Sequence, residues 1–309
     1  MKLPNPLWFD KLTMSGFLNA ISFVLRSHMP LQIEKATATG FCFGVKRAID
    51  TLEKAARERG KVEALGAIVH NQEVQQRLAG IGVTVVSRLE DIKASTTAIG
   101  THGVTPQTEA EIRARHSVVI NTTCPFVHRA QIAARRLARA GFLVIIYGDA
   151  NHPEVKGILG WAEGKGMATL DDNFAATLGH LPRRVGVLSQ TTQIPARFTG
   201  FVKNVIDATL VKDAELRIID TICHDIRERQ QAAIELANRV DLMLIIGSHT
   251  SANTNHLTEL CATATETHLV ETAGEIQQAW LKGHQHIGIT GGASTAEQTI
   301  DEVIKKLKG

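Results

Sequence analysis

The 309-residue chain has no two cysteines close enough to form a CxxC pair. Its four cysteines, Cys42, Cys124, Cys223 and Cys261, lie far apart. This spacing excludes a local zinc knuckle and a compact disulfide scaffold. It reads as a reducing, cytoplasmic compartment with thiols free or metal-bound. Aromatic residues make up 5% of the chain, and the lysines and arginines are scattered instead of gathered with them in one patch. Nucleic acid is therefore not an expected partner. A GxxxxGK[ST] loop is absent, which leaves nucleoside triphosphate binding without support, and no flavin or NAD(P) fingerprint is present. The uncharged stretch Leu12 to Leu25 is 14 residues long, short of the roughly 20 needed to span a bilayer, so no membrane partner is expected. A signal peptide is not expected either, because Asp10 precedes the apolar run and no small-residue cleavage site follows. Residues 1–30 are set aside as an N-terminal extension, either an accessory helix or the result of an upstream start with Met29 as the true initiator. What remains, at 44% hydrophobic, 21% charged and net charge +3, is an ordinary globular composition. Its length suits one large domain, two ordinary ones or three small ones.

Alignment of the chain on its own cysteines chooses three. Cys42, Cys124 and Cys223 each follow an apolar strand-like run: Ile33 to Thr39, Val118 to Asn121 and Leu216 to Asp220. Each then opens a helix with apolar residues at three- and four-residue spacing, over Val45 to Arg59, Val127 to Ala140 and Ile226 to Arg239. A second strand follows in each unit, at Val62 to Val69, Phe142 to Tyr147 and Leu242 to Ile246. A polar loop then begins 28 residues after each cysteine, at His70, His152 and Ser251. Each unit continues with a helix, a third strand, a short helix and a fourth strand. That fourth strand ends in a second polar loop, at Thr101-His102-Gly103, Gln190-Thr191-Thr192 and Gly292-Ala293-Ser294. Strands alternating with helices predict parallel sheets, with ligands bound beyond the carboxyl ends of the strands. The expected architecture is α/β: three similar lobes, 31–116, 117–213 and 214–309, with small parallel sheets in pseudo-threefold arrangement around a central iron-sulfur cluster.

The cluster is expected because three thiols, one per lobe, suit a cuboidal 4Fe-4S group with one iron left open for a substrate oxygen. Cys261 has no counterpart in the other lobes and reads as a core thiol. His70, His102, Ser251, Asn253 and Ser294 offer donors at loop positions ahead of helices. Free N–H groups and the positive dipole end there suit phosphate oxygens, which points to a small diphosphate. Singly, each of these residues reads as a surface or capping group, and only their shared placement marks them as ligand contacts. Glu154 is the one acid among the equivalent loop residues. It reads either as a first-turn acid after Pro153 or as a proton donor, directly or through the Thr191 hydroxyl.

These residues resemble the 4-hydroxy-3-methylbut-2-enyl diphosphate reductase (LytB/IspH) family from about Ile33 onward. The resemblance rests on Gly40-Phe41-Cys42-Phe43-Gly44-Val45-Lys46-Arg47-Ala48, Val69-His70-Asn71, Thr101-His102-Gly103-Val104 and Thr123-Cys124-Pro125. It continues through His152-Pro153-Glu154-Val155, Gln190-Thr191-Thr192, Thr221-Ile222-Cys223, Arg229-Gln230 and Gly292-Ala293-Ser294. It implies two-electron removal of the substrate hydroxyl to give isopentenyl and dimethylallyl diphosphate, in the non-mevalonate route to isoprenoids. By the same resemblance Cys42, Cys124 and Cys223 hold the cluster, and His70, His102, Ser251, Asn253 and Ser294 hold the diphosphate. His152, Glu154 and Thr191 complete the pocket, and a ferredoxin- or flavodoxin-like donor supplies electrons.

Ala252 and Ala296 depart from the family pattern of Ser and Pro, and Ala252 keeps its place in the binding set through its backbone N–H. His224-Asp225-Ile226 replaces a typical x-Ala-Thr, so Ile226 removes a hydroxyl near the cluster. Two rival readings are a quinolinate-synthase-like three-cysteine enzyme and a non-catalytic iron-sulfur redox protein. The diphosphate set and Glu154 argue against the first. The missing fourth ligand argues against the second, since electron carriers normally fill every iron site.

Overall fold

The computed structural model describes residues 31–309 except 70, 117, 179–180 and 210–212. The extension 1–30 and His70 lie outside the described residues. Twelve described strands form three parallel sheets of four. The first has the order β3-β2-β4-β5, from β2 (Val62–Leu65), β3 (Val83–Val86), β4 (Thr96–Ile99) and β5 (Val118–Asn121). The second, in the order β7-β6-β8-β9, uses β6 (Leu143–Tyr147), β7 (Gly166–Thr169), β8 (Arg184–Ser189) and β9 (Glu215–Ile219). The third has the order β1-β12-β10-β11, from β1 (Gln32–Lys35), β10 (Leu242–Ile246), β11 (Glu266–Val270) and β12 (His286–Gly291).

Sheet boundaries and repeat boundaries do not coincide. The strand that leads into each cysteine is the edge strand of the preceding unit's sheet: β5 pairs with β4, β9 with β8, and β1 with β12, where Gln32 faces His286. The three sheets are thus interlocked in a ring, and the first described strand closes the last sheet. A repeat counted from its cysteine strand cannot reveal this, because strand period and length do not say which sheet a strand joins.

Two strands are shorter than their apolar runs suggest. The second strand of the first unit stops at Leu65, where Gly66 takes φ +80°. The expected run to Thr39 stops at Lys35. The interior strands β2, β4 and β10 are buried from end to end, and β6, β8 and β12 are buried beyond their first residue, as parallel strands covered on both faces must be. Packing on the second sheet shows how closely. Helix Pro125–Arg139 buries Ala130, Ala134, Leu137 and Ala138 against it, and Gly186 on β8 leaves the space Leu137 fills. A methyl at Gly186 would lie 2.7 Å from Leu137 Cδ1 and 2.9 Å from Cδ2.

Gly186→Ala is therefore expected to cost about 1–3 kcal/mol in chemical denaturation, from overpacking. The same change should cost less in a Leu137→Ala background. Equal costs in the two backgrounds would mean that this contact is not the source of the strain.

Candidate functional site

Each of the three repeated cysteines is the N-cap of a helix. Cys42 precedes Phe43–Arg59, Cys124 precedes Pro125–Arg139, and Cys223 precedes His224–Ala237. The helices start about two residues earlier than their apolar periodicity suggests, because the thiol itself occupies the capping position. Cys42 Sγ accepts from the Val45 N–H at 3.5 Å. Cys124 and Cys223 accept no such capping bond, and the nearby N–H groups of Phe126 and Val127, and of Asp225 and Ile226, favour their thiolate forms.

All three cysteines open on one pocket. Gly44 lies between two of the sulfurs: a Cβ there would come within 2.6 Å of Cys124 Sγ and 3.9 Å of Cys42 Sγ. Only glycine lets the helix start sit against both. Burial raises all three thiols above their ordinary range, Cys124 to about 11 and Cys223 to about 12. A cation bound between them would hold them as thiolates, and the N–H groups at the three helix ends favour that form. Three convergent soft donors with a glycine-walled gap between them fit an iron-sulfur group. Cys261 lies in helix Ala252–Ala262, fully buried among Leu257, Met243 and Ile245, as a core thiol.

The two sets of polar loops meet the cysteines in the same pocket. His102, Thr191 and Ser294 follow β4, β8 and β12, while His152 and Ser251 follow β6 and β10. His152 and Ser251 each cap the helix that begins next, at Pro153–Trp161 and Ala252–Ala262. In the first unit the corresponding cap is Asn71, one residue beyond the 28-residue offset. Asn253 sits in the first turn of its helix, not in the loop, and both polar atoms of its buried side chain lack a hydrogen-bond partner among the described residues. Buried amides without partners are rare in folded proteins, and this one lines the pocket. Ala252 lines it beside Asn253. Gly103, at φ +68°, brings its loop so close to Gln131 and Thr123 that a Cβ would lie 2.5 Å from Gln131 Nε2. That contact fixes the turn carrying His102, whose ring meets the His152 ring edge-on at 5.0 Å.

Glu154 is 2% exposed. Its Oε1 accepts from the Thr191 N–H at 2.7 Å and its Oε2 from the Thr191 hydroxyl at 2.9 Å. Burial pushes its carboxyl up to about 7, against the pull of these two bonds. The Glu154 N–H donates to His152 Nδ1 at 3.2 Å, which leaves the proton of a neutral His152 on Nε2. A carboxyl that titrates near neutrality in a buried pocket is suited to giving a proton.

The structure brings together the three cysteines, His102, His152, Glu154, Thr191, Ser251, Ala252, Asn253 and Ser294. Sequence reasoning missed Thr192 as a pocket residue. Its buried hydroxyl has no partner among the described residues, and its signal was its place in the second polar loop. Ile226, buried at 4% exposure, puts methyl groups into the pocket beside Cys223.

Comparison with known proteins follows the same residues. The family model for LytB protein matches residues 33–308. The 4-hydroxy-3-methylbut-2-enyl diphosphate reductase of Dehalococcoides mccartyi strain CBDB1 is 61% identical over 277 residues, covering 90% of this chain and 98% of that one. The enzyme of the same name from Geobacter metallireducens is 42% identical over 279 residues, covering 90% and 97%. Among solved structures, one of (E)-4-hydroxy-3-methyl-but-2-enyl diphosphate reductase is 38% identical with a TM-score of 0.64, over 90% of this chain and 99% of that one. The Plasmodium falciparum E-1-hydroxy-2-methyl-but-2-enyl-4-diphosphate reductase is 25% identical with a TM-score of 0.84, over 91% and 89%. With a family model spanning nearly all described residues and relatives matched over nine-tenths of the chain, this protein belongs to the LytB family.

Proposed function

We propose that the chain is a 4-hydroxy-3-methylbut-2-enyl diphosphate reductase. It is an oxidoreductase that removes the substrate hydroxyl by two-electron reduction to give isopentenyl and dimethylallyl diphosphate, the last step of the non-mevalonate isoprenoid route. The observation that carries this reading is one pocket holding three cysteines, a buried acid titrating near 7 and a set of anion-binding loop residues. Relatives with this named activity support it over nearly their whole length. That family placement disfavours both the quinolinate-synthase-like reading and the non-catalytic redox reading.

Cys42, Cys124 and Cys223 would hold a 4Fe-4S cluster, leaving one iron without a protein ligand. When bound, the cluster supplies single electrons and a Lewis-acidic iron. A ferredoxin- or flavodoxin-like donor would supply the electrons. No described helix is long and apolar enough to cross a membrane.

The chain's own residues do the rest. Ser251, the N–H at Ala252 and Asn253 hold the diphosphate at a helix start, where free N–H groups and the dipole favour anions, with Ser294 and His102 reaching it from the loops after β12 and β4. His70 joins them through the family pattern. His152 borders the same pocket. The reaction consumes two electrons and two protons: one proton leaves with the hydroxyl as water, and the other ends on an allylic carbon. Burial raises the Glu154 pKa so that it holds a proton. When that proton lies on Oε2 the bond to Thr191 runs the other way, the carboxyl donating to Thr191 Oγ1, and the Thr191 hydroxyl is then free to turn its own proton onward.

Iron analysis and electron paramagnetic resonance on anaerobically purified protein should find about four irons per chain. Cys42→Ala, Cys124→Ala and Cys223→Ala should each lose the cluster, while Cys261→Ala retains it. An intact cluster in any of the first three sinks the ligand assignment.

His102→Ala and Asn253→Ala should each weaken substrate binding at least about tenfold with iron content unchanged, the worth of a charge-assisted phosphate contact. Anaerobic calorimetry reads this directly, and wild-type affinity in both would remove them from the pocket.

Single-turnover reduction should slow by about 10² to 10⁴ in Glu154→Gln, the usual loss for a positioned proton donor, with substrate binding kept. In wild type the rate should fall as pH rises through about 7, where Glu154 loses its proton, and this limb should vanish in the variant. The folded pKa lies above the ordinary value of 4.5, so the stability Glu154 contributes is complete below about 4.5 and is lost as pH rises through about 7. A Glu154→Gln rate within about threefold of wild type would reduce Glu154 to a helix-start residue.

A further inference from the structure

An arginine lies in the second turn of each cysteine helix: Arg47 and Arg129 come five residues after Cys42 and Cys124, and Arg229 comes six residues after Cys223. Each reaches across to the segment that leads into the next cysteine of the ring. Arg47 Nη1 donates to the Thr123 carbonyl at 3.3 Å, just ahead of Cys124. Arg129 Nη2 donates to the Asp220 carbonyl at 3.4 Å, ahead of Cys223. Arg229 closes the cycle, with Nη2 donating to the carbonyls of Gly40 at 2.7 Å and Thr39 at 3.4 Å, ahead of Cys42. Its Nη1 reaches the Gly291 carbonyl at 3.5 Å, at the end of β12.

Arg229 differs from the other two in its burial, at 5% exposure. Its hydrogen-bond partners are main-chain carbonyls, its Nε has no partner among the described residues, and no described carboxylate lies within ion-pair distance. A guanidinium taken out of water is strongly disfavoured unless an anion compensates it. The groups whose negative charge would act on it are, in falling order, Cys42, Asp225, Cys223 and Glu297, the two thiols once they are thiolates and the two carboxylates from beyond ion-pair distance. Asp225 is engaged elsewhere, accepting from the Phe43 N–H at 2.9 Å.

We propose that Arg229 is a positioning residue for the metal site. It holds the Thr39–Gly40 turn that presents Cys42, and it supplies the buried positive charge that favours reduction of a thiolate-bound cluster. This rests on the cluster reading above. Reduction adds negative charge beside the thiolates, and a fixed cation within the same low-dielectric interior stabilises the reduced form. Asp225 opposes that field, so the sign of the net effect is set by which of the two charges is removed.

The test uses Arg229→Gln, which removes the charge, and Arg229→Lys, which keeps it but cannot span the carbonyls. Anaerobically purified wild type and variants are compared by iron content, by cluster midpoint potential and by hydrogen exchange at the Gly40–Phe43 amides. Both variants should exchange at least about fivefold faster there, the factor expected for losing such a hydrogen bond. The midpoint potential should move to more negative values in Arg229→Gln and stay near wild type in Arg229→Lys. An unchanged potential in Arg229→Gln overturns the assignment, since a purely structural role would leave it in place. Unchanged exchange in both variants overturns it as well. If Arg229→Gln does not fold, exchange in Arg229→Lys decides alone, with a wild-type rate overturning the assignment. Wild type without iron would instead sink the cluster reading, and the exchange data would still decide the clamp.

Discussion

Three helices begin at one pocket, and each begins with a thiol. Helix N-termini carry partial positive charge and unsatisfied N–H groups, so pointing three of them at one place is unfavourable without something negative between them. The cysteines and the pocket's anion-binding loops answer the same demand. Thiolates at the centre and phosphate oxygens at the periphery both draw on N–H groups that the helices cannot satisfy internally. The sheets, the interlocked edge strands and the close glycine contacts at Gly44 and Gly103 all serve to bring those helix ends together.

Glu154 gains its character from the same crowding. In a half-solvated first turn it would be an ordinary helix-start acid. Enclosed beneath the Thr191 loop, it gives up water on all sides in exchange for two hydrogen bonds from one residue, and the balance leaves its proton held near neutrality. The departures from the family pattern fall around this chemistry. Ala296 begins the final helix, Glu297–Lys308, without a side-chain cap. Ile226 gives the wall beside Cys223 an apolar surface, and Asp225 ties the first turn of the neighbouring cysteine helix to its own.

Much of this was legible in the sequence because the chain repeats itself. The equal offset from Cys42 to His70, Cys124 to His152 and Cys223 to Ser251 ties loop to thiol, and parallel sheets follow from strand-helix alternation. The ring closure was not legible. Strand β1 shows the same apolar pattern whether it pairs within its own unit or with β12, and only tertiary packing chooses. Nor were the arginine contacts, since Arg47, Arg129 and Arg229 look like ordinary helix residues until their reach across the lobes is seen. Thr192 escaped notice because a threonine in a polar loop carries no signal of which way its hydroxyl points.

The pairing of β1 with β12 also orders events in time. As the chain leaves the ribosome, the first sheet can assemble once β5 has emerged and the second once β9 has, but the edge that carries Cys42 has no sheet to join until residues near 286 are made. Contacts of such sequence separation form late because the intervening loop must first be closed. Of the three edge strands that lead into the cysteines, only the one before Cys42 depends on a pairing with the far end of the described chain, Gln32 with His286. A site that needs all three thiols is complete only once that long-range pairing has closed.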